Sequence, residues 1–131
     1  MTLSTLVLDS GAVTVLSKLA RPGNAVLKDL RAAGQWPPQV PSAVLVECLT
    51  GRGTHDAATH RFLARTVIVE QLPIRVARRA AELRTRARRG SAVDAIVVAL
   101  AEPGGVVLTT DLDDLRALAA HAEDVLIESP R

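Results

Sequence analysis

The sequence predicts an α/β protein, a three-layer α/β/α sandwich with a central parallel sheet. Two observations predict it: short, strongly apolar runs alternate with helix-length segments along the whole chain, and Gly, Pro or Asp closes nearly every one of them. Strands apolar on both faces belong to parallel sheets covered by helices on each side. At 131 residues the chain suits one domain spanning 1–131.

Ser4 to Leu8 reads as the first buried strand and stops at Asp9-Ser10-Gly11. A helix over roughly 12–20 ends at Arg21-Pro22-Gly23, and another over roughly 24–33 ends at Gly34. Trp36-Pro37-Pro38 excludes helix and leads into a very short strand at Gln39-Val40. Pro41-Ser42 opens the next helix, with Ser42 as N-cap, and Gly51-Arg52-Gly53 ends it near Thr50.

A helix near 56–65 precedes the β-branched strand Thr66 to Glu70. Pro73 starts a long helix to about Arg89, broken at Gly90, and Ser91 caps a very apolar one through about Ala101. Pro103-Gly104-Gly105 stops it. Val106 to Thr109 is the fourth strand, 112–121 the last helix, and Val125 to Glu128 the fifth strand.

Apolar residues make up 48% of the chain, and with Trp36 and Phe62 the only aromatics the core must be aliphatic. The longest apolar run, Ala95 to Ala101, is far short of the ~20 residues that cross a bilayer. The first basic residue is Lys18 and the only cysteine is Cys48, so a signal peptide and an internal disulfide are not expected. A cytoplasmic protein without membrane association is the expectation. Net charge is +2, yet fourteen of the sixteen basic residues are Arg, the side chain that forks onto phosphate oxygens.

Ligands of parallel α/β sheets bind beyond the carboxyl ends of the strands. Asp9 follows the first strand and Asp111 the fourth, so both fall at that edge. Glu47 and Asp94 lie in helices that are apolar nearly all round and are expected to be largely buried. A buried carboxylate needs a partner or takes up a proton. A bound cation is one such partner.

Structural roles compete. Ser91-x-x-Asp94 matches a capping box, and Asp9 and Asp111 each precede a helix they would cap. Glu47, at mid-helix, has a long-range ion pair to an Arg as its alternative. Against these stands the set of four, since clustered carboxylates repel unless something positive enters. All-oxygen ligands suit Mg²⁺ or Mn²⁺, ions that serve phosphoryl chemistry. His55, His60 and His121 lack metal-pair spacing and read as surface or loop residues.

Four segments then resemble the PIN-domain family, specifically the VapC-type toxins of bacterial toxin–antitoxin modules. They are Leu6-Val7-Leu8-Asp9-Ser10, Pro41-Ser42-Ala43-Val44-Leu45-Val46-Glu47, Gly90-Ser91-Ala92-Val93-Asp94-Ala95, and Val107-Leu108-Thr109-Thr110-Asp111-Leu112-Asp113-Asp114-Leu115. The resemblance covers essentially the whole chain. It implies a Mg²⁺- or Mn²⁺-dependent endoribonuclease whose cut leaves a 5′-phosphate and a 3′-hydroxyl. Carried over, Asp9 and Asp94 are the principal metal ligands, Glu47 completes the cluster by contacting metal through water or positioning the attacking water, and Asp111 is the fourth acid, with Asp113 competing for that place. Thr109 bonds Asp111 or a metal-bound water. The resemblance also implies an RNA substrate, a homodimer and a cognate antitoxin that blocks the groove.

Other functions fit parts of the pattern. A small-molecule phosphohydrolase also places Asp after a first strand, but Asp9-Ser10-Gly11 lacks the second Asp two residues on. A non-catalytic partner-binding module would not need all four acids. Arg75, Arg78, Arg79, Arg86 and Arg89 read either as an RNA-backbone track or as a solvated helix face paired through Glu82. Arg52 suits a phosphate or a helix-end carbonyl, Trp36 a hydrophobic anchor under a loop, and Cys48 a buried thiol beside Glu47.

Overall fold

The computed structural model describes residues 5–19 and 25–130. Five strands, β1 (Leu6–Leu8), β2 (Gln39–Pro41), β3 (Val67–Val69), β4 (Val106–Leu108) and β5 (Leu126–Glu128), form one sheet in the order β3-β2-β1-β4-β5. Every neighbouring pair is parallel. The described residues also form seven helices: α1 (Ser10–Leu19), α2 (Ala25–Ala32), α3 (Ser42–Cys48), α4 (Gly53–Leu63), α5 (Ile74–Ala87), α6 (Ala92–Ala101) and α7 (Leu112–Ala119). The expected three-layer α/β/α sandwich is the observed fold. The turn at Arg21-Pro22-Gly23, the first residue of the predicted initial strand and the inner ends of the two helices around that turn lie outside the described residues.

The central strands β1 and β4 are buried at every position, as their uniformly apolar sequences require. The edges differ: Val67 of β3 and Leu126 of β5 are exposed. One helical group packs α1 against α3 and α4, and another joins α5, α6 and α7, with α6 lying on β1 and β4. The aliphatic core expected from composition is present, with Phe62 its one fully buried aromatic. Trp36 anchors the α2–β2 connection as expected, edge-on to Phe62 at 6.4 Å and flanked by the guanidinium groups of Arg31 and Arg65.

From β1 the chain moves outward through β2 to β3, then returns to place β4 on the other side of β1. The strand order reverses between β1 and β4, and an open α/β sheet offers its crevice at that reversal, beyond the carboxyl ends. Leu8 pairs with Leu108 in the β1–β4 register, so Asp9 and Thr109 leave the sheet side by side.

Two local expectations, for Ser42 and Cys48, are corrected. Ser42 does not cap α3: Pro41 holds the N-cap position, and the Ser42 hydroxyl donates instead to the Glu70 carbonyl beyond β3 at 3.0 Å. Extended Pro41 completes β2, so α3 begins directly from the strand. Of the two readings of Arg75, Arg78, Arg79, Arg86 and Arg89, on α5 and the turn after it, the structure bears out the helix face paired through Glu82, and three of the five are paired. Arg79 grips Glu102 with two 2.8 Å hydrogen bonds and also meets Glu82, Arg86 meets Glu82, and Arg89 meets Asp114. Cys48 is only half-buried.

Candidate metal centre

Asp9 is the most enclosed of the four predicted site acids, 5% exposed. Each of its oxygens has a partner: Oδ1 accepts the Ala12 N–H of α1 at 2.8 Å, and Oδ2 accepts the Thr109 hydroxyl in a short hydrogen bond. Asp9 therefore does cap α1, as the structural alternative proposed, while Thr109 ties it to β4. Thr109 is itself fully buried and accepts the backbone N–H of Asp111 at 2.8 Å, so its expected bond to Asp111 runs to the main chain. This relay of Asp9, Thr109 and the Asp111 backbone couples the ends of β1 and β4.

The Asp9 carboxyl is pushed above its ordinary value, chiefly by burial and further by the charges of Asp94 and Asp111, against the lowering effect of its two hydrogen bonds. The causes place Asp94 and Asp111 within its field. A cation bound beside such a group would favour its charged form.

Asp94 sits in the third position of α6, and the capping box is real: Ser91 Oγ accepts the Asp94 N–H at 3.0 Å, and Asp94 Oδ2 accepts the Ser91 N–H at 3.1 Å. The box occupies one oxygen of Asp94. Asp111 holds the N-cap position of α7 but makes no side-chain capping bond, so the capping explanation fails for it. Oxygens of Asp94, Asp111 and Asp114 lie within 4.8 Å of one another. Asp114, rather than the competing Asp113, joins Asp111 there.

Sequence reasoning missed Asp114, although a signal was present. Asp111 and Asp114 are the N-cap and third residue of one helical turn, so their side chains converge, whereas Asp113 projects elsewhere and is exposed.

Glu47 is a correction. It is exposed, as is its neighbour Val46 at 82%, so the expected burial does not occur. Only one face of short α3 meets the protein, and Val44 is the buried residue on it. Glu47 lies outside the group formed by Asp94, Asp111 and Asp114. Its helix does leave the same edge of the sheet, directly from β2, and packs against α1 behind Asp9. His55, His60 and His121 are exposed as expected.

Two further residues shape this edge. Gly11, which follows Asp9-Ser10, has no room for a side chain: a Cβ there would come within 1.9 Å of Thr110 Oγ1. Asp56 is buried beneath the α3–α4 turn and accepts the N–H groups of Thr50 and Gly51 and the Thr50 hydroxyl. Those bonds hold its carboxyl below the ordinary range. It explains how Gly51-Arg52-Gly53 turns. Arg52 is exposed there, its N–H on Thr50 Oγ1.

The donor set is oxygen only, anionic and clustered, which fits Mg²⁺ or Mn²⁺ and not a soft metal. Asp9 fits as well, since each carboxylate oxygen retains a second lone pair beyond its hydrogen bond.

Comparison with solved structures shows which fold carries this arrangement. VapBC2 from Rickettsia felis, bound to a DNA fragment from their promoter, matches with a TM-score of 0.69 at 15% identity, over 95% of this chain and 98% of that one. VapBC-1 from nontypeable Haemophilus influenzae matches with a TM-score of 0.64 at 13% identity, over 96% and 98%. FitAcB from Neisseria gonorrhoeae matches with a TM-score of 0.58 at 19% identity, again over 96% and 98%. The chain has the PIN-like fold. At the level of sequence, no protein-family model and no curated protein matches it. Among the described residues no helix is long and apolar enough to cross a membrane.

Proposed function

We propose that this protein is a Mg²⁺- or Mn²⁺-dependent endoribonuclease of the VapC type, the toxin of a type II toxin–antitoxin module that inhibits translation and growth. The observation that carries the proposal is the convergence of Asp9, Asp94, Asp111 and Asp114 at the β1–β4 reversal of a PIN-like sheet. Four carboxylates there, one buried and raised, form a site of negative potential that a divalent cation neutralises.

In this reading Asp9 and Asp94 are the principal ligands, Asp111 adds the third acid, and Asp114 stands beside them. A bound divalent ion would polarise the RNA phosphate and supply a nucleophile at neutral pH. The chain's own residues do the rest. Thr109 and Ala12 hold the Asp9 carboxylate in one orientation, and the capping box does the same for Asp94. Glu47, exposed on α3, is positioned to act through solvent from the outer rim of the same edge. The proposed partners are RNA, a cognate antitoxin and a second copy of the chain, in the cytoplasm, with residues 1–131 acting as one nuclease domain.

The test is cleavage of RNA by the purified protein with Mg²⁺ or Mn²⁺, followed by mapping of the ends. The expected products carry a 5′-phosphate and a 3′-hydroxyl. Asp9→Asn and Asp94→Asn should each abolish cleavage and relieve growth inhibition. Metal-dependent cleavage that persists in both variants overturns the proposal.

A further inference from the structure

Among the described residues, one cation of the chain's own reaches the acid cluster. Helix α5 ends at Arg88 in a left-handed conformation with φ 57°, and Gly90 adopts φ 90° two residues later. Between them, Arg89 Nε donates to Asp114 Oδ1 at 2.7 Å.

The backbone on either side of Arg89 is fastened. Arg84 Nε donates to the Gly90 carbonyl at 3.3 Å, and Gly90 lies so close to α7 that a Cβ would meet Leu118 Cδ1 at 2.7 Å. Ser91 then begins the capping box with Asp94. The turn is thus held to α5, α6 and α7 at once, and the guanidinium also lies in the field of Asp111 and Asp113. No other ion pair within the described residues reaches Asp94, Asp111 or Asp114.

We infer that Arg89 is an internal competitor for the divalent cation, neutralising Asp114 in the metal-free protein and yielding it when the ion enters. This rests on the metal-site reading above. Three carboxylates within 4.8 Å repel one another, and one guanidinium offsets part of that repulsion. A divalent ion offsets more. The pair is also suited to release, because its side chains are 54% and 29% exposed, and exposed ion pairs are weak. Arg89 therefore lowers metal affinity modestly instead of blocking the site.

The experiment is calorimetric titration of Mn²⁺ into the full chain and its variants, without RNA. Arg89→Gln should bind Mn²⁺ about three- to tenfold more tightly than the parent at low salt. The difference should shrink as ionic strength rises. Arg89→Lys, which keeps the charge, should stay near the parent, as should Arg86→Gln, whose partner is Glu82. In an Asp114→Asn background the effect of Arg89→Gln should fall. Equal Mn²⁺ affinity in the parent and Arg89→Gln overturns the inference and leaves the metal site standing. Absence of binding in every protein overturns both.

Discussion

The two ends of α6 carry acids in opposite circumstances. Asp94 at its start faces Asp111 and Asp114, with Asp9 nearby, and a single exposed guanidinium serves the group. Glu102, just past its last turn, has Arg79 on both oxygens and the Glu123 N–H at 2.7 Å. The helix dipole welcomes a carboxylate at the first end and opposes one at the second, so Glu102 needs its arginine for reasons of structure alone. Charge is satisfied within the chain at one end and only partly so at the other. The pKa directions agree: Glu102 is lowered, first by its hydrogen bond to Arg79, while Asp9 is raised, first by burial.

The largest expected effect strikes the unsatisfied end. Asp9→Asn should lower Mn²⁺-dependent cleavage at least about a hundredfold and remove the rise in Tm that Mn²⁺ produces in the parent. Its effect on the metal-free protein should have the reverse sign. A carboxyl whose folded value lies above its ordinary 3.8 stabilises the fold at low pH, and that contribution is lost as pH rises through the folded value. Denaturation of metal-free protein across about pH 3–7 should show this falling limb in the parent and not in Asp9→Asn. A limb that survives the substitution would assign the raised value elsewhere.

At the satisfied end, Arg79→Met should cost about 2 kcal/mol in urea denaturation while leaving Mn²⁺ affinity unchanged. Glu102 gives the opposite pH limb: its folded value lies below its ordinary 4.5, so its contribution is present above that pH and lost as pH falls through the folded value. Glu102→Gln should flatten that acid-side loss. If Arg79→Met weakens metal binding as much as Asp9→Asn does, the two ends are not independent.

Smaller effects sharpen the boundary of the site. Gly11→Ala should cost about 1 kcal/mol through its clash with Thr110, and Thr110→Gly should restore most of that in the double variant. Glu47→Gln should leave stability within about 0.5 kcal/mol of the parent, because the side chain is exposed. Its proposed role then shows only as a reduction in RNA cleavage with Mn²⁺ affinity nearly preserved.

Much of the fold was legible in particular residues. Uniformly apolar Leu6–Leu8 and Val106–Leu108 announced buried strands, and Gly90, Ser91 and Pro103 marked where α5 and α6 stop and start. Glu47 shows where such reasoning fails. An apolar flank suggested burial, but seven-residue α3 presents only one face to the protein, and Val46 and Glu47 share the open side. Ser42 failed for a related reason, since its hydroxyl found the Glu70 carbonyl just beyond the neighbouring strand β3.

The acidic residues divide the same way. By itself the sequence determined that Asp9 and Asp111 end strands and that Asp94 opens a helix, because local pattern and turn chemistry decide where elements begin and end. Only the tertiary structure decided which acids meet, because that depends on strand order. Placing β4 beside β1 joined Asp9 to Thr109, a hundred residues apart in the chain. Packing α7 beside α6 brought Asp114 to Asp94, and the α5–α6 turn set Arg89 against them.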